Sequence, residues 1–399
     1  MTDSLSVPVQ LPIMRAADRP FDPPPELAEL RERTPLRRLA MPGGYGGWLV
    51  TSHALVRAVL GDQRFSVRHE LMHSPFPGTE GVEVPAAPPG HFSAFDPPEH
   101  TRFRKLLTGK FTVRRMAQLT ARLEQITAEC LGAMDGMEPP VDLVQAFARP
   151  IPTAMICELL GVPDQEQELF HRLSRLNELD VTPEETVELT TGLDKYMHEL
   201  VLAKRATPTD DLLSDVAASD LTEEELTGVG TLLLGTGLDT TANMLAFGVF
   251  ALLAHPDQLA LLRRGDGDSD AVVEELLRYL SIQWFSARVA LDDVELDGQR
   301  IEPGDMVVLS LHAANRDPER FPDPDALDIQ RRAVGHLAFG HGIHQCLGQQ
   351  LARVEMRVAY PALLQRFPTL RLAVAPEEVP LRIGAMYGVH RLPVAWDRA

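Results

Sequence analysis

The sequence predicts a mainly α-helical fold with a smaller β-rich region, on three observations. Thr222-Glu223-Glu224-Glu225 has the form of a capping box, and the apolar stretch after it carries one helix across residues 223–254. Helical segments recur on either side, the last of them marked by Leu347, Leu351, Val354 and Val358 at spacings of three and four. Between residues 287 and 311 the pattern changes to short strands punctuated by Asp297-Gly298 and Pro303-Gly304, both turn signals.

The 399 residues are 44% apolar, ample for a large buried core, and no repeat or low-complexity run divides them; residues 1–399 read as one domain. Acidic side chains outnumber basic ones by 57 to 38, and a formal charge of -19 argues against nucleic acid or an anionic membrane as partner. Cys130, Cys157 and Cys346 are too few for a disulfide scaffold and lack metal-finger spacing, which fits a reducing, intracellular compartment. Residues 1–25 form an extended lead-in rich in proline and acidic side chains. They have no basic n-region with an apolar core and no bilayer-length span, so the expectation is a cytoplasmic protein without membrane contact.

Taken in order, residues 26–33 form a short helix, and Trp48 to Thr51 a strand after the glycine-rich turn at 43–47. Ser52 caps a helix over 53–60 that Gly61 can end. Residues 68–95 lose periodicity and fill with Pro, Gly, His and Phe. A loop of that length is a binding element or lid, or else a surface connection with no role. Asp96-Pro97-Pro98-Glu99-His100 then opens a helix with proline in its first turn. His100 and Arg104, four apart, share a face and can grip one anion, although such a pair taken alone is most often a solvated surface. Helices follow over 111–134 and 141–160, and a charged pair of surface helices spans 165–205 with a break near 180–183.

The helix over 223–254 is apolar enough to raise a transmembrane reading, but Asp239 and Asn243 near its middle and acidic flanks make insertion costly. Gly235 and Gly237 each cost about 1 kcal/mol relative to alanine in a helix interior. With the neighbouring threonines they predict a local opening of the helix against a bound group. Asp239 beside Thr240 is a proton-relay arrangement, or an acid satisfied by nearby hydroxyls and backbone. His255-Pro256-Asp257 starts another helix, stopped at Gly265, and Asp270 caps the next over 271–280. Glu275 and Arg278 within it are either a surface pair or, among Leu276, Leu277 and Leu280, a buried one. Segments 370–374 and 392–394 are closing strands, with Met386 on the loop between them.

Phe339-Gly340-His341-Gly342-Ile343-His344-Gln345-Cys346-Leu347-Gly348 delivers one cysteine to the start of the last long helix. Unpaired backbone N–H groups and the helix dipole there favour an anion and suit a thiolate. Cys346 reads as nucleophile, metal ligand or buried structural thiol. Gly340, Gly342 and Gly348 count against the last, because they let backbone approach something bulky and planar. His336, His341 and His344 in the same stretch admit a zinc reading, but their spacing to Cys346 is not a recurrent zinc pattern.

The 339–348 stretch resembles the haem-ligand loop of the cytochrome P450 family, Phe-Gly-x-Gly-x-His-x-Cys-x-Gly, and matches every fixed position. Three more segments resemble that family's, in the expected order: His100 and Arg104 its C helix, Gly237-Leu238-Asp239-Thr240 its I helix, and Glu275-Leu276-Leu277-Arg278 its K helix. The resemblance implies the cytochrome P450 fold, a helical bundle around haem with short antiparallel sheets, over nearly the whole chain. Within it, 68–95 would be the B–C loop, 165–205 the F/G region roofing the substrate pocket, 223–254 the I helix and 339–348 the haem-thiolate loop.

The implied cofactor is haem b (iron protoporphyrin IX) with Cys346 as axial thiolate and metal ligand. His100, Arg104, Arg288 and His344 are implied propionate partners, Phe339, Gly340 and Gly348 complete the cofactor site, and His341 is left to the surface. Asp239 and Thr240 would deliver protons during O2 activation, while the hard chemistry would belong to the haem. The implied activity is hydroxylation or epoxidation of an apolar small molecule, such as a polyketide or other secondary metabolite. It would use O2 and two electrons from ferredoxin and ferredoxin reductase; a haem-binding sensor or carrier without turnover is the alternative. Leu232, Leu233, Thr236, Gln283, Trp284, Phe285 and Met386 are the candidate substrate pocket, with the aromatic pair also able to pack the core. Arg102, Lys105, Lys110, Arg114, Arg115 and Arg353 would form a docking patch for the electron donor or a solvated face. Two positions depart from the family pattern. Thr236 stands where Ala or Gly is usual, and Ala326 where an arginine is common, with Arg331 as its expected substitute.

Overall fold

The helix Glu223–Ala254 is the axis of the molecule, and it starts where its sequence says it should: Thr222 Oγ1 accepts from the Glu225 N–H at 3.1 Å, and Glu225 Oε2 accepts from the Thr222 N–H at 2.8 Å. The computed structural model describes residues 8–16, 18–111, 113–163, 183–265, 267–382 and 386–398. Helices Pro150–Leu160, Pro183–Ala206 and Gln349–Arg366 pack directly on the central helix, and Val113–Asp135 packs on Gln349–Arg366 behind it. Among the described residues this is the one helix long and apolar enough to cross a membrane, and 72% of its most apolar window is buried inside the protein.

The expected local opening at Gly235 and Gly237 is not there: the helix is continuous through both. Gly237 serves a different purpose. A Cβ at that position would sit 3.0 Å from the Ile156 side chain, so the missing methyl group lets the neighbouring helix approach. Thr236 and Thr240 satisfy their hydroxyls within the helix, donating to the Leu232 and Thr236 carbonyls at 2.7 Å each.

The β-rich region is a five-stranded sheet in the order β1(Leu36–Ala40)-β2(Gly46–Val50)-β8(Met306–Ser310)-β5(Phe285–Ala290)-β3(Phe65–Ser66). Its pairings are antiparallel except β2 with β8, which run parallel with Trp48 opposite Val307. Strands β6(Val294–Leu296) and β7(Gln299–Ile301) form the hairpin expected at Asp297-Gly298, whose φ angles of 48° and 68° are those of a tight primed turn. The remaining strands are short: β4(Val141–Asp142) and β9(Arg371–Leu372) flank β12(Pro393–Ala395), and β10(Leu381–Arg382) pairs with β11(Gly388–Val389).

Several boundaries differ from the sequence reading for local reasons. The segment expected as one helix over 141–160 begins as β4, passes through a π-turn at Val144–Ala148, and becomes an α-helix only at Pro150. The cap of helix Ser269–Leu280 is Asp268, whose side chain accepts from the Asp270 N–H at 3.1 Å, so Asp270 lies inside the first turn rather than capping it. Pro98 is the residue before helix Glu99–Thr108, not within it. The first half of the 165–205 region, up to 182, lies outside the described residues, and Pro183 opens the helix after it.

Candidate functional site

The loop before Gln349–Arg366 is shaped by two left-handed residues, Gly340 at φ 69° and Gly342 at φ 75°, and a side chain at Gly342 would overlap the Leu60 carbonyl. The Cys346 N–H donates to the Phe339 carbonyl at 2.9 Å and closes the loop just ahead of the helix. Cys346 shows accessible surface, yet its thiol is deep enough for burial to push its pKa up. Backbone amides of Gly348 and Gln349 and the charges of Arg104 and Arg353 pull in the other direction, toward thiolate.

Four basic side chains from three distant segments meet beside that thiol. His100 and Arg104 come from helix Glu99–Thr108, Arg288 from β5 and His344 from the cysteine loop. The His100 and His344 rings lie 4.1 Å apart between centroids. Burial, then the charge of Arg104, lowers the His100 pKa to about 4, against the opposing influence of Asp96. Burial, then His100, Arg288 and Arg104, lowers that of His344 to about 3. Arg288 is buried, its pKa pulled down to about 10 by desolvation, and it donates to Ser286 Oγ at 2.9 Å and to the Ala287 carbonyl at 2.7 Å. His344 Nδ1 is buried without a hydrogen-bond partner. A desolvated group of cations and imidazoles with an orphaned nitrogen suits anionic oxygens, and the two carboxylates of haem supply them. The donor set therefore fits the cofactor that the loop implies.

On the central helix Gly235 and Thr236 are both exposed although the helix is otherwise largely buried, and a Cβ at Gly235 would meet nothing within 4 Å. The Thr236 hydroxyl is already committed to the Leu232 carbonyl. Asp239, next to Thr240, is ion-paired: Arg382 Nη1 donates to its Oδ1 at 2.8 Å, and Oδ2 is buried without a partner. One turn on, the Asn243 side-chain amide donates to the Tyr387 carbonyl, so two polar residues on one helix face clamp the β10–β11 hairpin.

The candidate pocket residues divide. Leu232, Phe285 and Met386 are half-buried, Leu233 is buried, and Gln283 is exposed. Trp284, at 1% exposure, is core: its ring stacks on Tyr387 with centroids 5.3 Å apart and meets His312 edge-on, so no part of it is left to line a pocket. Phe76, from the 68–95 loop, meets Phe285 edge-on at 5.4 Å and ties that loop to β5.

Glu275 and Arg278 form the buried alternative, both side chains at 0% exposure, with Arg278 Nε 2.7 Å and Nη2 2.8 Å from the two carboxylate oxygens. Arg331 is the third partner, its Nε 3.2 Å from Glu275 Oε1, while Ala326 contributes its carbonyl to Arg278. Of the residues considered for docking, Arg102 pairs with Glu225, Lys110 with Asp215, Arg115 with Asp210 and Arg353 with Glu274. Lys105 is exposed, and the side chain of Arg114 lies outside the described residues. His336 and His341 do not join Cys346: among the described residues no group of three His, Cys, Asp or Glu side chains converges to hold a metal ion.

Sequence reasoning missed Arg382 and Glu274. Their partners lie 143 and 79 residues away, and neither sits in a motif that would single it out.

Comparison with known proteins agrees with this geometry. The family model described as Cytochrome P450 matches residues 269–385. The chain is 48% identical over 381 residues to Cytochrome P450 105C1 of a Streptomyces species, covering 94% of this chain and 96% of the relative. It is 42% identical to pentalenic acid synthase of Streptomyces avermitilis, with 98% of each chain covered. The crystal structure of CYP105P1 in complex with filipin I superposes with a TM-score of 0.91 at 39% identity, over 98% of this chain and all of that one.

Proposed function

This chain belongs to the cytochrome P450 family of monooxygenases, and on that premise we propose that it hydroxylates or epoxidises an apolar secondary metabolite at a haem held by Cys346. The observation that carries the cofactor assignment is the cluster of His100, Arg104, Arg288 and His344 beside the thiol, with His344 Nδ1 left unpartnered. Relatives named for secondary metabolites, pentalenic acid synthase and nocardicin C N-oxygenase, support the substrate class.

Haem, when bound, supplies the reduction of O2 and the oxidation of carbon. Cys346 would hold the haem iron through its sulfur, from a position just ahead of a helix N-terminus that favours the thiolate. Arg104 and Arg288 would neutralise the haem carboxylates, and His100 and His344 would donate hydrogen bonds to them. Gly235 and Thr236 leave accessible room on the opposite wall. Thr240 Oγ1 holds a proton at that wall, and Asp239 Oδ2, buried and not engaged by Arg382, is the oxygen free to pass one on inside the protein. Phe285, Leu232 and Met386 present apolar surface to the substrate. Electrons come from a ferredoxin and its reductase, and the protein works in the cytoplasm.

The test has two stages. The reduced protein with carbon monoxide is expected to show the red-shifted Soret band of a thiolate-ligated haem, absent in Cys346→Ser. Candidate polyketides, terpenes and peptides are then screened by spectral titration, and products are identified with a surrogate ferredoxin pair. Haem binding with no substrate-dependent consumption of reductant across that screen would favour the sensor or carrier reading instead.

A further inference from the structure

Glu274 takes part in none of the steps above, yet three hydrogen bonds converge on its carboxylate. Arg353 approaches it as a fork, Nε to Oε1 at 2.5 Å and Nη2 to Oε2 at 3.1 Å. His336 Nε2 lies 3.0 Å from Oε2. The Ala338 N–H donates to His336 Nδ1 at 3.2 Å, which places the imidazole proton on Nε2 and leaves a neutral ring donating to Glu274. Three elements meet at this carboxylate: helix Ser269–Leu280 through Glu274, helix Gln349–Arg366 through Arg353, and the cysteine loop through His336.

Arg353 is fixed from its other sides as well. Its Nη1 donates to Gln349 Oε1 at 3.0 Å, and its guanidinium carbon lies 4.6 Å from the centre of the Phe339 ring. Phe339 is the residue whose carbonyl takes the Cys346 N–H. A cation, its neutralising carboxylate and an aromatic ring are thus stacked against the segment that carries the thiol. Burial opposes ionisation of Glu274, but the hydrogen bonds from His336 and Arg353 outweigh it and hold its pKa down to about 2, so the carboxylate is charged across the physiological range.

We infer that Glu274 is a positioning residue that cancels the charge of Arg353 beside Phe339 and Cys346 and thereby sets the reduction potential of the haem iron. The inference rests on the haem-thiolate reading of Cys346. Reduction adds one negative charge to the iron–thiolate unit, so an uncancelled cation nearby favours it and an uncancelled anion opposes it. Both side chains are largely withdrawn from water, at 22% and 19% exposure, which limits screening of either charge once its partner is gone.

The experiment is potentiometric titration of the haem-loaded protein without substrate. Glu274→Gln is expected to raise the potential and Arg353→Gln to lower it. Each is expected to change the ferrous-to-ferric ratio at a fixed applied potential by at least threefold, where tenfold corresponds to about 59 mV for a one-electron couple. The double variant is expected to return close to wild type. Arg353→Lys, which keeps charge and loses the fork, separates charge from packing: it stays near wild type if the inference holds. Shifts of the same sign in both single variants, or a lysine variant displaced as far as the glutamine one, would overturn it, because loosened packing moves every variant alike. The carbon monoxide spectrum of the wild type keeps the two readings apart. A normal thiolate band with flat potentials refutes the role of Glu274 alone, and no thiolate band refutes both.

Discussion

Asp239 and Arg382, 143 residues apart in sequence, are joined by a 2.8 Å ion pair that leaves Asp239 Oδ2 buried and free. The acid of the central helix is therefore held by the β10–β11 hairpin rather than by its own helix. Asp239→Asn or Thr240→Ala is expected to leave haem content unchanged and lower coupled turnover by about 10²-fold, the lower range for a positioned proton donor, with reducing equivalents diverted to peroxide. Arg382→Gln is expected to give a smaller loss that Arg382→Lys restores. Product and peroxide formed per reductant consumed measure all four, and unchanged coupling in the first two variants would remove both residues from proton delivery.

The Glu275–Arg278–Arg331 cluster predicts a graded stability series. Glu275 is fully buried and bonded to both arginines and to the Asp328 N–H, so Glu275→Gln strands the buried Arg278 charge. The expected cost is about 3–5 kcal/mol. Arg331→Ala removes a single charged hydrogen bond from Glu275 and is expected to cost about 1.5–3 kcal/mol. Urea unfolding of the haem-loaded variants checks the order; equal losses would mean that the three act as one indivisible unit.

Gly228, on the first turns of the central helix, touches the Pro89 carbonyl so closely that an added methyl group would overlap it. Gly228→Ala is expected to push the end of the 68–95 loop outward and cost about 1–3 kcal/mol as overpacking. Faster limited proteolysis within 68–95 and weaker spectral binding of substrate, with the carbon monoxide band unaltered, is the expected pattern. A loop as resistant as wild type would show that the backbone contact does not restrain it.

Glu355 gives a pH prediction. It is buried in helix Gln349–Arg366, and desolvation, against a hydrogen bond from Thr241, raises its pKa from 4.5 to about 8. Below 4.5 the folded and unfolded chains both carry the proton. Between there and about 8 only the unfolded chain releases it, so folding weakens as pH rises through that window, by an amount on the order of a few kcal/mol. Glu355→Gln is expected to flatten that slope and be the more stable protein at pH near 8. Parallel stability–pH curves for the two proteins would contradict it.

What was legible in the sequence was what is written locally. The Thr222 capping box, the Ser52 cap and the Asp297-Gly298 turn each fix a conformation through neighbours a few residues away, and each formed as expected. Arg331 as the partner of Glu275 was also reachable, because the family pattern supplied a place that Ala326 could not fill. The cap expected at Asp270 lies two residues earlier, at Asp268, whose backbone is extended rather than helical. Arg382, Glu274 and the burial of Trp284 depend on which distant segments meet, and nothing near them in the chain encodes that. Resemblance pointed to His100, Arg104, Arg288 and His344 as one group, and these side chains do lie together; spacing alone left His100 and Arg104 as surface.

The parallel pairing of β2 with β8 has a consequence for synthesis of the chain. Gly46 to Val50 emerge early, paired on one side by β1, while the partner for their other edge, Met306 to Ser310, lies in the last quarter of the sequence. At ribosomal speeds of roughly 5–20 residues per second, that edge stays unmatched for on the order of ten to fifty seconds. An apolar strand carrying Trp48, Leu49 and Val50 with open backbone donors is a template for the wrong partner during that interval. Yield of native protein should therefore be governed by how well the nascent N-terminal ribbon is shielded until the sheet can close.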